Sequence, residues 1–128
     1  MSLSLKQETF PGHVAVITVE GELDANTAQQ FDDLVTRLME SGSTKLLIDI
    51  DGVTYIASAG VGVFVGNVQN LQNRGGDLAI VYSKFVPPED TSTGLVTGYN
   101  PLEVFDMLGL SELLKIGRTR EEALAKIG

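Results

Sequence analysis

The chain has 128 residues, 43% hydrophobic and 20% charged, which fits one compact domain at about 150 residues per domain and a core that needs no metal or disulfide staples. It has no cysteine, which excludes disulfide frameworks, thiolate zinc sites, iron–sulfur clusters and thiol nucleophiles together. Seventeen acids against nine bases give a net charge of −8, with the bases scattered from Lys6 to Lys126, so no nucleic acid is expected as a partner.

Two apolar, β-branched segments open the chain, around Leu3 to Phe10 and Val14 to Glu20, and the turn dipeptide Pro11-Gly12 between them predicts a hairpin. After Gly21-Glu22-Leu23-Asp24 the period changes. Ala28, Phe31, Leu34, Val35, Leu38 and Met39 fall on one helical face, which predicts an amphipathic helix covering a sheet. Asp24, Asn26 and Thr27 are its candidate caps, Thr27 with Gln30 has capping-box spacing, and Ser41-Gly42-Ser43 ends it.

Lys45 to Ile50 is read as a short strand, Asp51-Gly52-Val53 as a loop and Thr54-Tyr55-Ile56 as the approach to a second helix. That helix has the apolar face Val61, Phe64, Val65, Val68 and Leu71, and Asn73 with Gly75-Gly76 closes it. Asp77 to Tyr82 is the next strand. Ser83 to Tyr99, with two prolines, two glycines and three threonines, is a long connection of the kind that carries function or mobility. Asn100-Pro101-Leu102-Glu103 starts a short helix to about Leu108. A strand near Leu114 to Ile116 and a terminal helix capped at Thr119 complete the order.

No basic segment followed by an apolar run and a cleavage site is read at the start, so a cytoplasmic protein is expected. Val53 to Asn73 carries no charged residue. Asn67, Gln69, Asn70, Gln72 and Asn73 crowd one end of it, however, and the apolar run Ala59 to Gly66 is too short to cross a bilayer. No membrane insertion is expected.

Complete catalytic constellations are missing from the pattern. His13 is the lone histidine, so it reads as a strand-end residue and neither as a metal ligand nor as the base of a serine hydrolase. Gly60-Val61-Gly62 resembles the start of a dinucleotide fingerprint, but Val65 stands where the third glycine belongs. Asp49 and Asp51 would point the same way only if the strand continued through position 51, and Gly52 argues for solvated loop acids. Ser58 stands just before the second helix, between the small residues Ala57 and Ala59. It reads either as an ordinary N-cap or as a phosphate acceptor, since a phosphate there would meet free amides and the positive end of the helix dipole.

The run Leu47-Ile48-Asp49-Ile50-Asp51-Gly52-Val53-Thr54-Tyr55-Ile56-Ala57-Ser58-Ala59-Gly60-Val61-Gly62-Val63 resembles the signature of STAS domains, the family of bacterial anti-sigma factor antagonists. Gly21-Glu22-Leu23-Asp24 upstream, and Gly75-Gly76-Asp77-Leu78 and Val104 to Leu110 downstream, match in order. The resemblance implies a single α/β domain over residues 1–128, with a mixed sheet of four to five strands, about four helices packed mainly on one side, and a long variable loop at 83–99. It implies a protein without catalytic activity, cofactor or metal, which binds a serine kinase of the histidine-kinase ATPase fold that doubles as an anti-sigma factor. In the family pattern the serine at Ser58 accepts phosphate from that kinase and the complex breaks. A metal-dependent, PP2C-type phosphatase then restores binding. The same carry-over places Asp24 near the acceptor and makes Ala57, Ala59, Gly60 and Val61 part of the surface the kinase reads.

The chain departs from that pattern at Ala57, where phosphorylated members commonly carry an acid, and in the length of Ser83 to Tyr99. These departures support an alternative, a non-phosphorylated STAS scaffold or ligand-sensing domain in a stressosome-like or transporter-associated assembly. A nucleotide-binding enzyme is a third reading, resting only on the glycine-rich helix start.

Overall fold

A computed structural model describes residues 3–84 and 115–127. Its element order is β1 (Leu3–Phe10), β2 (Val14–Leu23), α1 (Ala28–Glu40), β3 (Lys45–Ile56), α2 (Ser58–Asn73), β4 (Asp77–Val81), β5 (Lys115–Gly117) and α3 (Arg120–Ile127). The five strands form one sheet in the order β1-β2-β3-β4-β5. β1 and β2 are antiparallel, and the other pairs are parallel. The expected α/β class and mixed sheet are therefore present. The expected helix at Asn100 to Leu108 and the loop from position 85 onward lie outside the described residues.

Three helices are present among the described residues, and they divide between the faces of the sheet. Ala15, Ile17 and Val19 of β2, Leu46, Ile48 and Ile50 of β3, and Leu78 and Ile80 of β4 turn one way and form the main core with α1 and α2. The intervening Val16, Leu47, Ala79 and Val81 turn the other way, onto Ala123, Leu124 and Ile127 of α3. This two-sided burial explains why the parallel strands read as continuous apolar runs while β1, at the edge, alternates with polar residues.

α1 buries the six residues its periodicity predicts. Its end is a left-handed glycine cap, because Gly42 has φ 107° and the Ser43 N–H donates to the Leu38 carbonyl at 3.0 Å. α2 ends in the same way, with Gly75 at φ 80° and the Gly76 N–H donating to the Leu71 carbonyl at 2.8 Å. Its buried face keeps four of the five expected residues, loses Val65 and gains Gly60 and Asn67. Asn67 is in the core and Val65 is half-buried. Asn67 is tolerated there because its Nδ2 donates to Asp32 Oδ1 (3.0 Å) and to the Val63 carbonyl (2.8 Å), tying α2 to α1. Beside it the Phe31 and Phe64 rings pack with centroids 5.1 Å apart.

The main correction concerns β3. Residues 51–53 are not a loop: the strand runs unbroken to Ile56. Thr18 pairs with Asp49 but Glu20 with Gly52, and Gly21 pairs with Val53 but Glu22 with Tyr55. β3 therefore carries one extra residue at each of two bulges. Each bulge resets the alternation, so the core-facing positions pass from Ile48 and Ile50 to Val53 and Ile56, with three-residue steps.

The glycines of α2 have different roles. A Cβ on Gly60 would lie 2.8 Å from Leu23 Cγ and 3.0 Å from the Leu23 carbonyl oxygen, whereas one on Gly66 would meet nothing within 4 Å. Gly60→Ala should lower stability by about 1–3 kcal/mol, and Gly66→Ala should raise it by about 0.5–1 kcal/mol. Urea denaturation midpoints at unchanged m-value check both.

Candidate functional site

The carboxyl ends of β2 and β3 are the elements that build the site. Leu23 and Ile56 are register partners at the last position of each strand. Immediately beyond them the Ala57 N–H donates to the Leu23 carbonyl at 2.9 Å. The two chains leave the sheet from this joined point, one into Asp24 and the turn before α1, the other into Ser58 and α2. Asp24 and Ser58 are thus each one residue past a bonded pair.

Ser58 is the first residue of α2 and does not cap it. Ala57 holds the cap position with extended backbone (φ −93°, ψ 171°), and no side chain caps the helix. The Ala57 carbonyl accepts from Gly60 N–H (3.0 Å) and Val61 N–H (3.2 Å). The N-cap reading of Ser58 is therefore set aside: the serine is exposed, and its hydroxyl is committed to no cap. The first N–H groups of a helix have no partner within it, and the first turn of α2 holds no acidic side chain to occupy them. A hydroxyl at this position is open to a transfer enzyme, and an anion attached to it would meet those amides and the helix dipole.

Asp24 is only 9% exposed. Its Oδ1 accepts from Asn26 N–H (2.9 Å) and Thr27 N–H (3.1 Å). Its own N–H donates to Thr27 Oγ1 (2.9 Å), and that hydroxyl donates to the Glu22 carbonyl (2.7 Å). The Thr27–Gln30 capping box is not formed, because Thr27 turns back to the end of β2 and no side chain caps α1. Asp24 thus organises the turn that delivers α1.

The other expected site residues separate by burial. Ala59 is exposed and Ala57 half-buried. Gly60 packs on Leu23, and Val61, 2% exposed, belongs to the core. The Val61 side chain therefore cannot face a docked partner, and its part in any surface is to fix how α2 sits. Thr54 and Tyr55, read from the sequence only as the approach to the second helix, are both exposed at the end of β3, Tyr55 at 46%. The three-residue spacing of Ile50, Val53 and Ile56 was the available signal of that exposure. Asp49 and Asp51 are both strand residues. Asp49 Oδ1 accepts the Asp51 N–H (3.0 Å), and Asp51 Oδ1 accepts the Ser83 N–H (2.8 Å), so the pair secures the first bulge and the exit of β4. Among the described residues no helix is long and apolar enough to cross a membrane.

With this geometry in place, comparison with known proteins gives the class. The STAS domain family profile matches residues 6–123, and the chain belongs to that family. It is 29% identical over 105 residues to the anti-sigma-B factor antagonist of Bacillus subtilis (strain 168), covering 82% of this chain and 83% of that protein. It is also 29% identical over 65 residues to the antagonist of the same name from Staphylococcus aureus (strain NCTC 8325 / PS 47), a match covering 51% of this chain and 60% of that relative's length. An anti-sigma factor antagonist from Mycobacterium paratuberculosis superposes with a TM-score of 0.74 at 20% identity, over 98% of this chain and 94% of that one. The Bacillus cell fate determinant SpoIIAA in its phosphorylated form superposes with a TM-score of 0.64 at 21% identity, over 96% and 98%. At those identities the likeness to the two solved structures is one of fold.

Asp24→Ala should cost about 1–2 kcal/mol through loss of the turn bonds, and Asp24→Asn, which keeps an accepting Oδ1, well under half of that. Chemical denaturation of the two variants checks the ranking.

Proposed function

We propose that this chain is a non-enzymatic, cytoplasmic anti-sigma factor antagonist that works by partner switching. Its unmodified Ser58 face binds a kinase-type anti-sigma factor, and phosphate on Ser58 releases it. The observation that carries this reading is the exposed, uncapped Ser58 hydroxyl at the first residue of α2. The names of the Bacillus and Staphylococcus relatives support it, as does the phosphorylated state in which a structural neighbour was solved.

The partner surface in this reading is Ala57, Ala59 and the backbone around Gly60, flanked by Asp24. Its centre is small and uncharged, so a partner helix or loop approaches the α2 backbone closely and excludes water. A phosphoserine there carries roughly −1.5 to −2 charges at neutral pH. Burying it against a partner without matching cations costs far more than such a contact returns. A PP2C-type phosphatase resets the switch by hydrolysing the ester. Ala57, where phosphorylated members of the family commonly carry an acid, leaves no negative charge beside the acceptor and is the departure that favours the alternative of a non-phosphorylated scaffold.

The test is incubation of the purified chain with ATP and its cognate anti-sigma kinase, followed by phosphopeptide mapping and binding titration. Ser58 should be the modified residue. Ser58→Ala should bind with or without ATP, and Ser58→Asp and Ser58→Glu at least roughly tenfold more weakly. Equal capture of wild type and all three variants, or absence of modification at Ser58, overturns the reading in favour of a non-phosphorylated scaffold.

A further inference from the structure

We infer that the outer edge of β1 is a self-association surface, through which two copies of this chain pair antiparallel about a two-fold axis at Gln7. β1 lies at the end of the sheet, and among the described residues β2 is its one strand neighbour. An edge strand leaves alternate N–H and C=O groups unpaired, a template for another strand. β1 is long for an edge, with eight residues, and is exposed from Lys6 to Phe10.

The side chains decide which strand fits. Leu3 and Leu5 pack against the core beneath α1 and α2, so Ser4, Lys6, Glu8 and Phe10 share the opposite face. The contact of Glu8 with Arg120 of α3, 2.8 Å apart, lies on that face. With Gln7 on the axis, Lys6 stands directly opposite the partner's Glu8, and Glu8 opposite the partner's Lys6. The charge pair therefore forms twice by symmetry. The two adjacent registers that keep the sheet faces aligned place Lys6 on Lys6 or Glu8 on Glu8, and like charges directly opposite are unfavourable. One register is thus selected and its neighbours are rejected. A lysine on an edge ordinarily deters strand addition; the glutamate two residues on converts that barrier into a preference for a second copy of the same strand.

The same register places Phe10 beside the partner's Ser4 and diagonal to the stem of the partner's Lys6, within reach on a shared face. Phe10 is 46% exposed, one of the two exposed large hydrophobic residues among those described. Pairing covers it at both ends of the joined strands. A contact made by one strand from each copy is small against a standard protein interface, so the dimer is weak and reversible. The surface lies at the opposite edge of the sheet from β4 and β5, and the inference does not depend on the proposed role of Ser58.

Sedimentation velocity over a concentration series from micromolar to millimolar tests it, with thermal melts to confirm that each variant is folded. Wild type should show reversible dimerisation. Lys6→Glu and Glu8→Lys should each raise the dimer dissociation constant by roughly tenfold or more, since each places like charges opposite one another twice. The double variant Lys6→Glu/Glu8→Lys should recover dimerisation, because it exchanges the two charges and restores the pairs. A wild-type chain that stays monomeric throughout overturns the inference. So do single variants that dimerise as wild type does, and so does a double variant no better than the singles.

Discussion

The hydrogen bond from the Ala57 N–H to the Leu23 carbonyl is the contact on which the geometry of the site depends. It joins the ends of two parallel strands where the chain leaves the sheet twice, and so fixes Asp24 relative to Ser58 without any direct bond between them. Gly60 completes the joint. Leu23 fills the space a Cβ would take there, so α2 can start only where its third residue lies against the end of β2. The position of Ser58 on the helix follows from that packing.

The two bulges in β3 are the second constraint. A regular strand starting from Ile48 and Ile50 would turn residues 52, 54 and 56 into the core. The observed strand turns Val53 and Ile56 inward and leaves Thr54 and Tyr55 at the surface. The extra residues also lengthen β3 relative to β2, so that Ile56 still ends level with Leu23. Gly52 suits the first bulge because the Glu20 side chain lies where its Cβ would be, 2.6 Å from Glu20 Cγ. Asp49 and Asp51 then satisfy backbone N–H groups that the interrupted ladder and the end of β4 leave over.

Much of this was legible in the sequence, and the exceptions share a cause. α1, the hairpin and the ends of both long helices follow from periodicity and from Gly12, Gly42 and Gly75, signals that act within a few residues. What could not be read locally was which of several competing partners a group would take. Thr27 has a glutamine three residues ahead and an aspartate three residues behind. The folded chain chooses the aspartate, because the Glu22 carbonyl at the end of β2 comes within 2.7 Å of the same hydroxyl. Ser58 occupies the position a cap would take by spacing alone, but Leu23 holds the Ala57 N–H, and the helix begins one residue earlier. Gly52 reads as a turn residue wherever it stands, unless a neighbouring strand is known to run past it.

The charge distribution bears on how a switch at Ser58 would work. Residues 7–36 and 46–73 contain Glu8, Glu20, Glu22, Asp24, Asp32, Asp33, Asp49 and Asp51 but no lysine or arginine. Both strand ends and α1 up to its last turn, where Arg37 stands, therefore carry acids without a cation, and α2 itself is uncharged. Two local fields act on a phosphate placed there. The amides at the start of α2 favour it by about 0.3–1 kcal/mol at an exposed site, while the surrounding carboxylates oppose it through solvent that screens charge over about 8 Å. Neither is large, so the phosphate can exist on the free domain at small cost to the fold. In the proposed switch its strong effect would arise only when a partner removes the water, because a dianion stripped of hydration loses several kcal/mol without matching cations. An uncharged helix start in an acidic surround would thus let a phosphate on Ser58, in the proposed switch, discriminate between the bound and free states with no change in the fold required.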